Sequence, residues 1–199
     1  MNGKDKKMDS DKRITILKVS QALFSRFGFV KTTVDDIAKL ARIGKGTVYH
    51  YFRSKEHVFE QVIQKESNTL QEKIQQAIRK KKTPQSKLTA FVKTRFRHLK
   101  DMTNYYSALT DDYLEHYAFI EEARYKYLDR QIQTVKDILY EGVEKGVFEI
   151  KDTKLTAQAI VLLLKALEYP WSVEKDKFDI ELSTNKFLNI LFKGIEKRK

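Results

Sequence analysis

The segment from Lys45 to Phe52 places its polar side chains on one side of a predicted helix. Val48 and Phe52 are spaced i to i+4, so together they mark a face that is expected to be buried. The opposite face carries a cation, a hydroxyl, a phenol and an imidazole, which are Lys45, Thr47, Tyr49 and His50. Cations and phenols bind phosphate oxygens, whereas hydroxyl and imidazole groups can reach base edges in a DNA groove. This combination predicts contact with DNA rather than catalysis.

A second short helix is predicted just before this segment. Thr33 is a suitable N-cap and Asp36 stands three residues later, which resembles a capping box and puts carboxylates at the positive end of the helix. Residues 42–44 form the turn, and Gly44 is expected to adopt the positive φ that ends a helix. The apolar face of this first helix consists of Val34, Ile37, Ala38, Leu40 and Ala41. The pattern predicts a helix-turn-helix; the alternative is a plain helical hairpin with a polar face.

The outward side chains are assigned separate roles on a DNA duplex. Recognition of base edges is assigned to Lys45, Thr47 and His50. Phosphate contacts, which position the protein without specifying sequence, are assigned to Thr33, Tyr49, Tyr51 and Lys55. Gly46 has no side chain, so the start of the second helix can approach the sugar-phosphate backbone closely.

The chain from Ile16 to Phe59 resembles the N-terminal domain of the TetR family of transcriptional regulators. The matching residues are Ile16-Leu17, Ala22-Leu23-Phe24, Phe27-Gly28-Phe29, Thr32-Thr33-Val34, Ile37-Ala38 and the run from Gly46 to Glu56. The resemblance implies a DNA-binding head followed by a larger helical domain that holds an inducer and forms a dimer. It covers under a third of the chain, and the remainder is similar to the family only in length and helical character.

Composition agrees with a polyanionic partner and excludes thiol chemistry. The formal net charge is +12, and residues 1–60 carry 13 basic and 7 acidic residues. There are no cysteines, so disulfides and thiol redox sensing are excluded. The N-terminus has no apolar core typical of a signal peptide, and the apolar run 159–164 is too short for a membrane span. We therefore expect a cytoplasmic protein with no membrane partner.

The spacing of apolar residues predicts an all-α protein of about nine helices. Residues 1–10 are expected to be a disordered basic arm, residues 11–53 the helix-turn-helix domain, and residues 54–199 the effector-binding and dimerisation domain. The first helix is predicted over 11–27, with Ile16, Leu23 and Phe27 on its core face. A long helix from about Ser54 to Lys80 is expected to connect the two domains.

The second domain carries a dense set of aromatic residues between positions 91 and 127. Aromatic side chains often line ligand pockets, although filling a core is the more common role. The candidate pocket residues are Phe96, Tyr106, Tyr113 and Tyr117. The stretch 79–100 has nine basic and no acidic residues, so an anionic effector bound by Arg95, Arg97 or Lys100 is an alternative to simple pairing with the acidic stretch that follows. The effector is expected to be a hydrophobic or anionic small molecule, and no cofactor is expected.

The last two helices have apolar faces broad enough for a four-helix interface between two copies. Its expected residues are Ile160, Val161, Leu164, Leu167, Phe187, Leu188, Leu191 and Phe192.

An all-α enzyme is the main rival class, but no histidine follows a glutamate by three residues, as a di-metal bundle requires. Asp112 and His116 are close enough for two metal ligands, although a surface contact is the commoner role. An interaction protein with a basic surface is the second rival, and we predict neither catalytic residues nor a metal site.

Overall fold

The computed structural model describes residues 3–104, 118–173 and 179–197, and over these residues the fold is all-α. Eight α-helices are present in the described residues: α1 (Gly3–Lys31), α2 (Val34–Ala41), α3 (Lys45–Tyr51), α4 (Lys55–Arg79), α5 (Pro84–Arg97), α6 (Ala118–Glu144), α7 (Thr153–Val173) and α8 (Ile180–Ile195). A short 3-10 helix (Leu99–Met102) follows α5, and an isolated antiparallel bridge joins Phe148 to Glu196. In this part of the chain no helix has both the length and the apolar character needed to cross a bilayer.

The first helix starts earlier than the sequence pattern predicts. It begins at Gly3, so residues 3–10 are helical where a disordered arm is expected. This stretch contains several lysines and a methionine, which are good helix formers, and it contains no proline. At the other end, Gly28 has φ 79° and ψ 167°, which interrupts the helix directly after Phe27. Phe27 itself is 48% exposed rather than in the core, because the buried face follows Ile16, Leu17 and Phe24.

Two compact units divide the chain at a place different from residue 53. The first comprises Met1–Ser67 with Thr103–Ala123, and the second comprises Asn68–Met102 with Arg124–Lys199. The first half of α4 therefore belongs to the first unit. The reason is aromatic packing: the Phe59 ring lies 4.9 Å from the ring of Phe24 and 5.0 Å from that of Phe29. A head ending at residue 53 would lose this part of its core.

The first unit also contains a buried polar network. Glu66, on α4, is almost fully buried and accepts hydrogen bonds from Gln21 Nε2 at 3.0 Å and Asn104 Nδ2 at 2.7 Å. Asn104 Nδ2 also lies 3.0 Å from Ser25 Oγ. Hydrogen bonds of this kind offset the cost of taking a carboxylate out of water. The network ties residue 104 to α1 and α4 within the head.

In the second unit, α5 packs against α8, and the 3-10 helix contacts α5 and α7. The contact between α4 and α6 is partly polar, since Gln131 Nε2 donates to Gln71 Oε1 at 2.8 Å and Gln71 Nε2 donates to Thr134 Oγ1 at 3.2 Å. A Cβ atom at Gly142 would lie 2.0 Å from the Phe148 ring, so only glycine fits there. The second unit is therefore held together by contacts between pairs of helices, some of which are polar.

Candidate DNA-binding interface

Helix α2 starts with a complete capping box. The Thr33 hydroxyl accepts a hydrogen bond from the Asp36 backbone N–H at 3.1 Å, and the Thr33 backbone N–H donates to Asp36 Oδ2 at 3.0 Å. The Thr33 hydroxyl also donates to Asp36 Oδ2 at 2.6 Å. The hydrogen bonds from Thr33 lower the pKa of Asp36 below its ordinary value. The predicted cap is present, but the single hydroxyl hydrogen of Thr33 is used on Asp36 and not free for a phosphate.

The turn between α2 and α3 is closed by Arg42 and not by Gly44. Arg42 has φ 56° and ψ 45°, and the Ile43 N–H donates to the Ala38 carbonyl at 3.0 Å while the Arg42 N–H donates to Lys39 at 3.2 Å. These two bonds form a Schellman motif, which is usually built on glycine. Gly44 is extended, with φ −74° and ψ 149°, and serves as the N-cap of α3. The expectation of a positive φ at Gly44 was therefore wrong.

The recognition helix α3 rests on the predicted apolar pair. Val48 and Phe52 are both buried, and the Arg13 guanidinium lies 5.5 Å from the centre of the Phe52 ring. On the other side Tyr49 is 47% exposed and His50 is exposed. The face assigned to DNA is thus open to solvent and is held in place by the buried face beneath it.

Gly46 and Thr47 complete the start of this helix. A Cβ atom at Gly46 would meet no protein atom within 4 Å, so the folded chain itself does not require a glycine there. The space beside Gly46 is open, and a glycine there would let another molecule approach the backbone closely. Thr47 is half-buried beside it. Tyr51 is also half-buried, and its ring meets that of His50 edge-on with the centroids 5.1 Å apart.

Lys45 has a partner that the sequence analysis did not identify. Its Nζ lies 2.7 Å from Asp35 Oδ2, and both side chains stay more than half exposed, at 51% and 67%. The hydrogen bond from Lys45 to Asp35 raises the pKa of the Lys45 ammonium above its ordinary value. The two residues are ten positions apart on different helices, so helical periodicity does not bring them together. The pair joins the first turns of α2 and α3 on one surface.

Lys55 has an intramolecular role in addition to the one predicted. Its Nζ donates to the Phe29 carbonyl oxygen at 3.0 Å and lies 4.2 Å from the centre of the Phe29 ring. This contact fixes the start of α4 to the end of α1. Because an ammonium has three hydrogens, a phosphate contact is still compatible with this geometry.

The junction between α3 and α4 depends on His57. The Arg53 backbone N–H donates to His57 Nδ1 at 3.2 Å, and the His57 N–H donates to Ser54 Oγ at 3.2 Å. The His57 ring also packs edge-on against Phe52 with the centroids 5.7 Å apart. The sequence pattern places the start of this helix near Ser54 but assigns no part to His57. Its position three residues after a serine at the helix start is the signal that could have identified it.

The candidate pocket residues are only partly described. Phe96 is buried, while Tyr106, Tyr113 and Tyr117 lie outside the described residues. Arg95 is buried, with its guanidinium 6.0 Å from the centre of the Tyr127 ring, whereas Arg97 is exposed. Asp112 and His116 also lie outside the described residues. Among the residues that the structure describes, no group of three or more histidine, aspartate or glutamate side chains is placed to hold a metal ion.

The structure changes the set of residues available for a dimer interface. Four expected interface residues are buried inside the single chain, which removes them from any exposed surface: Ile160, Val161, Leu164 and Leu188. The other four, Leu167, Phe187, Leu191 and Phe192, are half-buried. Among the side chains that the structure describes on these two helices, the exposed large apolar ones are instead Leu155, Leu162 and Leu163 on α7 and Leu182 and Ile190 on α8. Helix α7 is apolar on nearly all sides, so periodicity alone did not distinguish its core face from its outer face.

A capped α2, a tight turn and an α3 with an open polar face define a helix-turn-helix DNA-binding protein. The family model of bacterial regulatory proteins of the tetR family matches residues 16–62, and that of the C-terminal region of YsiA-like proteins matches residues 63–194. The chain belongs to the TetR family, and it is a DNA-binding transcriptional regulator.

Known relatives and structures agree with this assignment. The HTH-type transcriptional repressor KstR2 of Mycolicibacterium smegmatis is 31% identical over 144 residues, which are 70% of this chain and 68% of that protein. The fatty acid metabolism regulator protein of Bacillus subtilis is 24% identical over 195 residues, 96% of this chain and 100% of that protein. The regulator FadR from Bacillus subtilis, solved in complex with stearoyl-CoA, has a TM-score of 0.77 at 22% identity and covers 91% of this chain and 98% of its own. At this identity the structural likeness establishes the fold.

Proposed function

We propose that the protein is a homodimeric repressor that binds a palindromic operator through α3 and releases it when an effector binds. The observation that carries this proposal is the open polar face of α3 above the buried pair Val48 and Phe52. A helix seated in this way presents its first residues to base edges in the major groove. Two copies related by a two-fold axis would contact half-sites about 34–36 Å apart.

The side chains on this surface are proposed to bind different parts of the duplex. Lys45, Thr47 and His50 recognise base edges, while Tyr49, Tyr51 and Lys55 bind phosphates and position the head. Gly46 lets the first turn of α3 approach the backbone of the duplex. Thr33 contributes by capping α2 with its side chain, because its hydroxyl hydrogen is donated to Asp36.

Dimerisation is proposed to use the exposed apolar residues of α7 and α8. Leu155, Leu162 and Leu163 follow one face of α7 at spacings of seven and eight residues, and Ile190 on α8 is 73% exposed. Several large apolar side chains exposed close together on a protein surface commonly mark an interface. The half-buried residues Phe187 and Leu191 would border the contact. A dimer doubles the number of DNA contacts that one small head can make.

The effector is proposed to combine an apolar part with an anionic group. One relative is named for fatty acid metabolism, and one structural neighbour was solved with stearoyl-CoA. In this chain the buried cation Arg95 beside Tyr127 supports an anionic group, and the buried Phe96 on the same helix supports an apolar part. Because chromosomal DNA is its target, we place the protein in the cytoplasm.

The rival functions make a different prediction about α3. An all-α enzyme or a protein that binds acidic partners through its basic surface does not require an α3 with an open polar face. Alanine at Lys45, Tyr49 and His50 would leave either rival activity intact. The same change removes most contacts of α3 with DNA, so it separates these functions from the proposed one.

Selection of bound fragments from genomic DNA of the source organism tests the proposal. The purified protein and the Lys45→Ala, Tyr49→Ala, His50→Ala triple variant are compared at moderate salt, after circular dichroism has shown that both are folded. We expect the unaltered protein to enrich a palindromic site and the variant to lose it. Equal recovery by both proteins would mean that the basic charge binds DNA without sequence preference, and the proposal would fail.

A further inference from the structure

The ion pair between Asp35 and Lys45 lies on the surface proposed to face DNA. The carboxylate occupies the first turn of α2 and the ammonium the first residue of α3, with 2.7 Å between Oδ2 and Nζ. Both side chains are more than half exposed, and such pairs add little to folding stability. Stability is therefore a weak explanation for this pair, and its position makes a role in binding the better one.

A carboxylate on this surface is unfavourable for binding phosphates. It repels the DNA backbone and cancels the charge of the lysine that is best placed to approach it. The cost is avoided when the carboxylate faces a base edge that donates hydrogen bonds. In the major groove, the amino groups of cytosine and adenine are the donors.

The pair matches the edge of a G·C base pair. Guanine presents the acceptors O6 and N7, and the cytosine amino group lies beside O6 at a hydrogen-bond distance of about 2.9 Å. An ammonium next to a carboxylate offers the complementary donor and acceptor at nearly the same separation. An A·T pair fits less well, because the ammonium would meet one thymine acceptor with a methyl group beside it.

We propose that Asp35 and Lys45 together recognise one G·C base pair in each half of the operator, with Lys45 donating to guanine and Asp35 accepting from the cytosine amino group. The proposal rests on the proposed function, since it needs α3 in the major groove. It adds Asp35 to the residues that determine specificity. It also explains why the lysine is held in place before DNA arrives.

Selection of random duplexes by the full-length protein tests the pair. The unaltered protein is expected to select one nearly constant G·C pair in each half-site. Asp35→Ala should lower the preference for cytosine at that base pair about tenfold, the size of one good base contact. Lys45→Ala should lower the preference at the same base pair, and the double variant should lose little more, because the two residues act as one unit. Asp35→Ser serves as a second variant that removes the carboxylate and keeps a polar side chain at this position.

Asp11→Ala is the matched control, since it removes one negative charge from an exposed position on α1 and should leave the selected sequence unchanged. The proposal is overturned if Asp35→Ala strengthens binding to all duplexes and leaves the selected sequence unaltered, because the carboxylate then only repels phosphates. It is also overturned if the two variants alter different base pairs. If the unaltered protein selects no sequence, the proposed function itself fails, which is a distinct result.

Discussion

Replacing Lys55 by methionine should affect both the stability of the head and its binding to DNA. The Lys55 ammonium donates to the Phe29 carbonyl at 3.0 Å and lies over the Phe29 ring at 4.2 Å. Methionine keeps the length of the side chain and loses both interactions. At this half-exposed site we expect the free energy of unfolding to fall by about 1–2 kcal/mol.

The same change should reduce the salt dependence of DNA binding. Each phosphate contact contributes about −0.9 to the slope of log K against log salt concentration, so a dimer that loses two contacts should lose about 1.8 from that slope. Urea unfolding followed by circular dichroism measures the first effect, and fluorescence anisotropy with a selected duplex over a range of salt concentrations measures the second.

Lys18→Met is the control for both measurements, because Lys18 is exposed on α1 and its replacement removes the same charge. It should change neither the stability nor the slope. An unchanged free energy of unfolding in Lys55→Met would refute the argument from the Phe29 contact. An unchanged slope would refute the assignment of Lys55 to a phosphate.

Three further variants test the cap of α2, the phosphate contact of Tyr49 and the dimer interface. Thr33→Ala should lower the free energy of unfolding by about 1 kcal/mol through loss of the cap. Because Thr33 lowers the pKa of Asp36, part of this stability is lost as the pH falls below about 4 and Asp36 is protonated. In urea unfolding, the difference in the free energy of unfolding between the variant and the unaltered protein should therefore shrink below about pH 4. It should stay constant from about pH 5 to 8. Tyr49→Phe should weaken binding to all duplexes alike, by about threefold to tenfold in anisotropy titrations; a loss confined to one sequence would contradict a phosphate contact. Leu163→Glu with Ile190→Glu should yield monomers in sedimentation, and a persistent dimer would place the interface elsewhere.

Several features of the head follow from local sequence. The spacing of Val48 and Phe52 identified the buried side of α3, and both residues are buried as predicted. Thr33 and Asp36 identified the start of α2, since a capping box needs only residues three apart. Such features depend on contacts within one or two helical turns, which a sequence displays directly.

Features that depend on contacts between helices were missed or misplaced. The Asp35–Lys45 pair and the Glu66–Asn104 hydrogen bond join residues from different helices, so no periodic pattern contains them. Arg42 replaces the expected glycine in the left-handed conformation because the two hydrogen bonds of the turn offset its strain. On α7 nearly every side is apolar, so only packing decides which residues are buried.

Sequence-specific binding by a dimer is tested with two duplexes of equal length and composition. One carries the selected palindrome and the other the same bases shuffled, and both are titrated with protein at physiological salt. We expect the protein to bind the palindrome at least about a thousandfold more tightly than the shuffled duplex, with two chains per duplex. Equal affinity for both duplexes would contradict it.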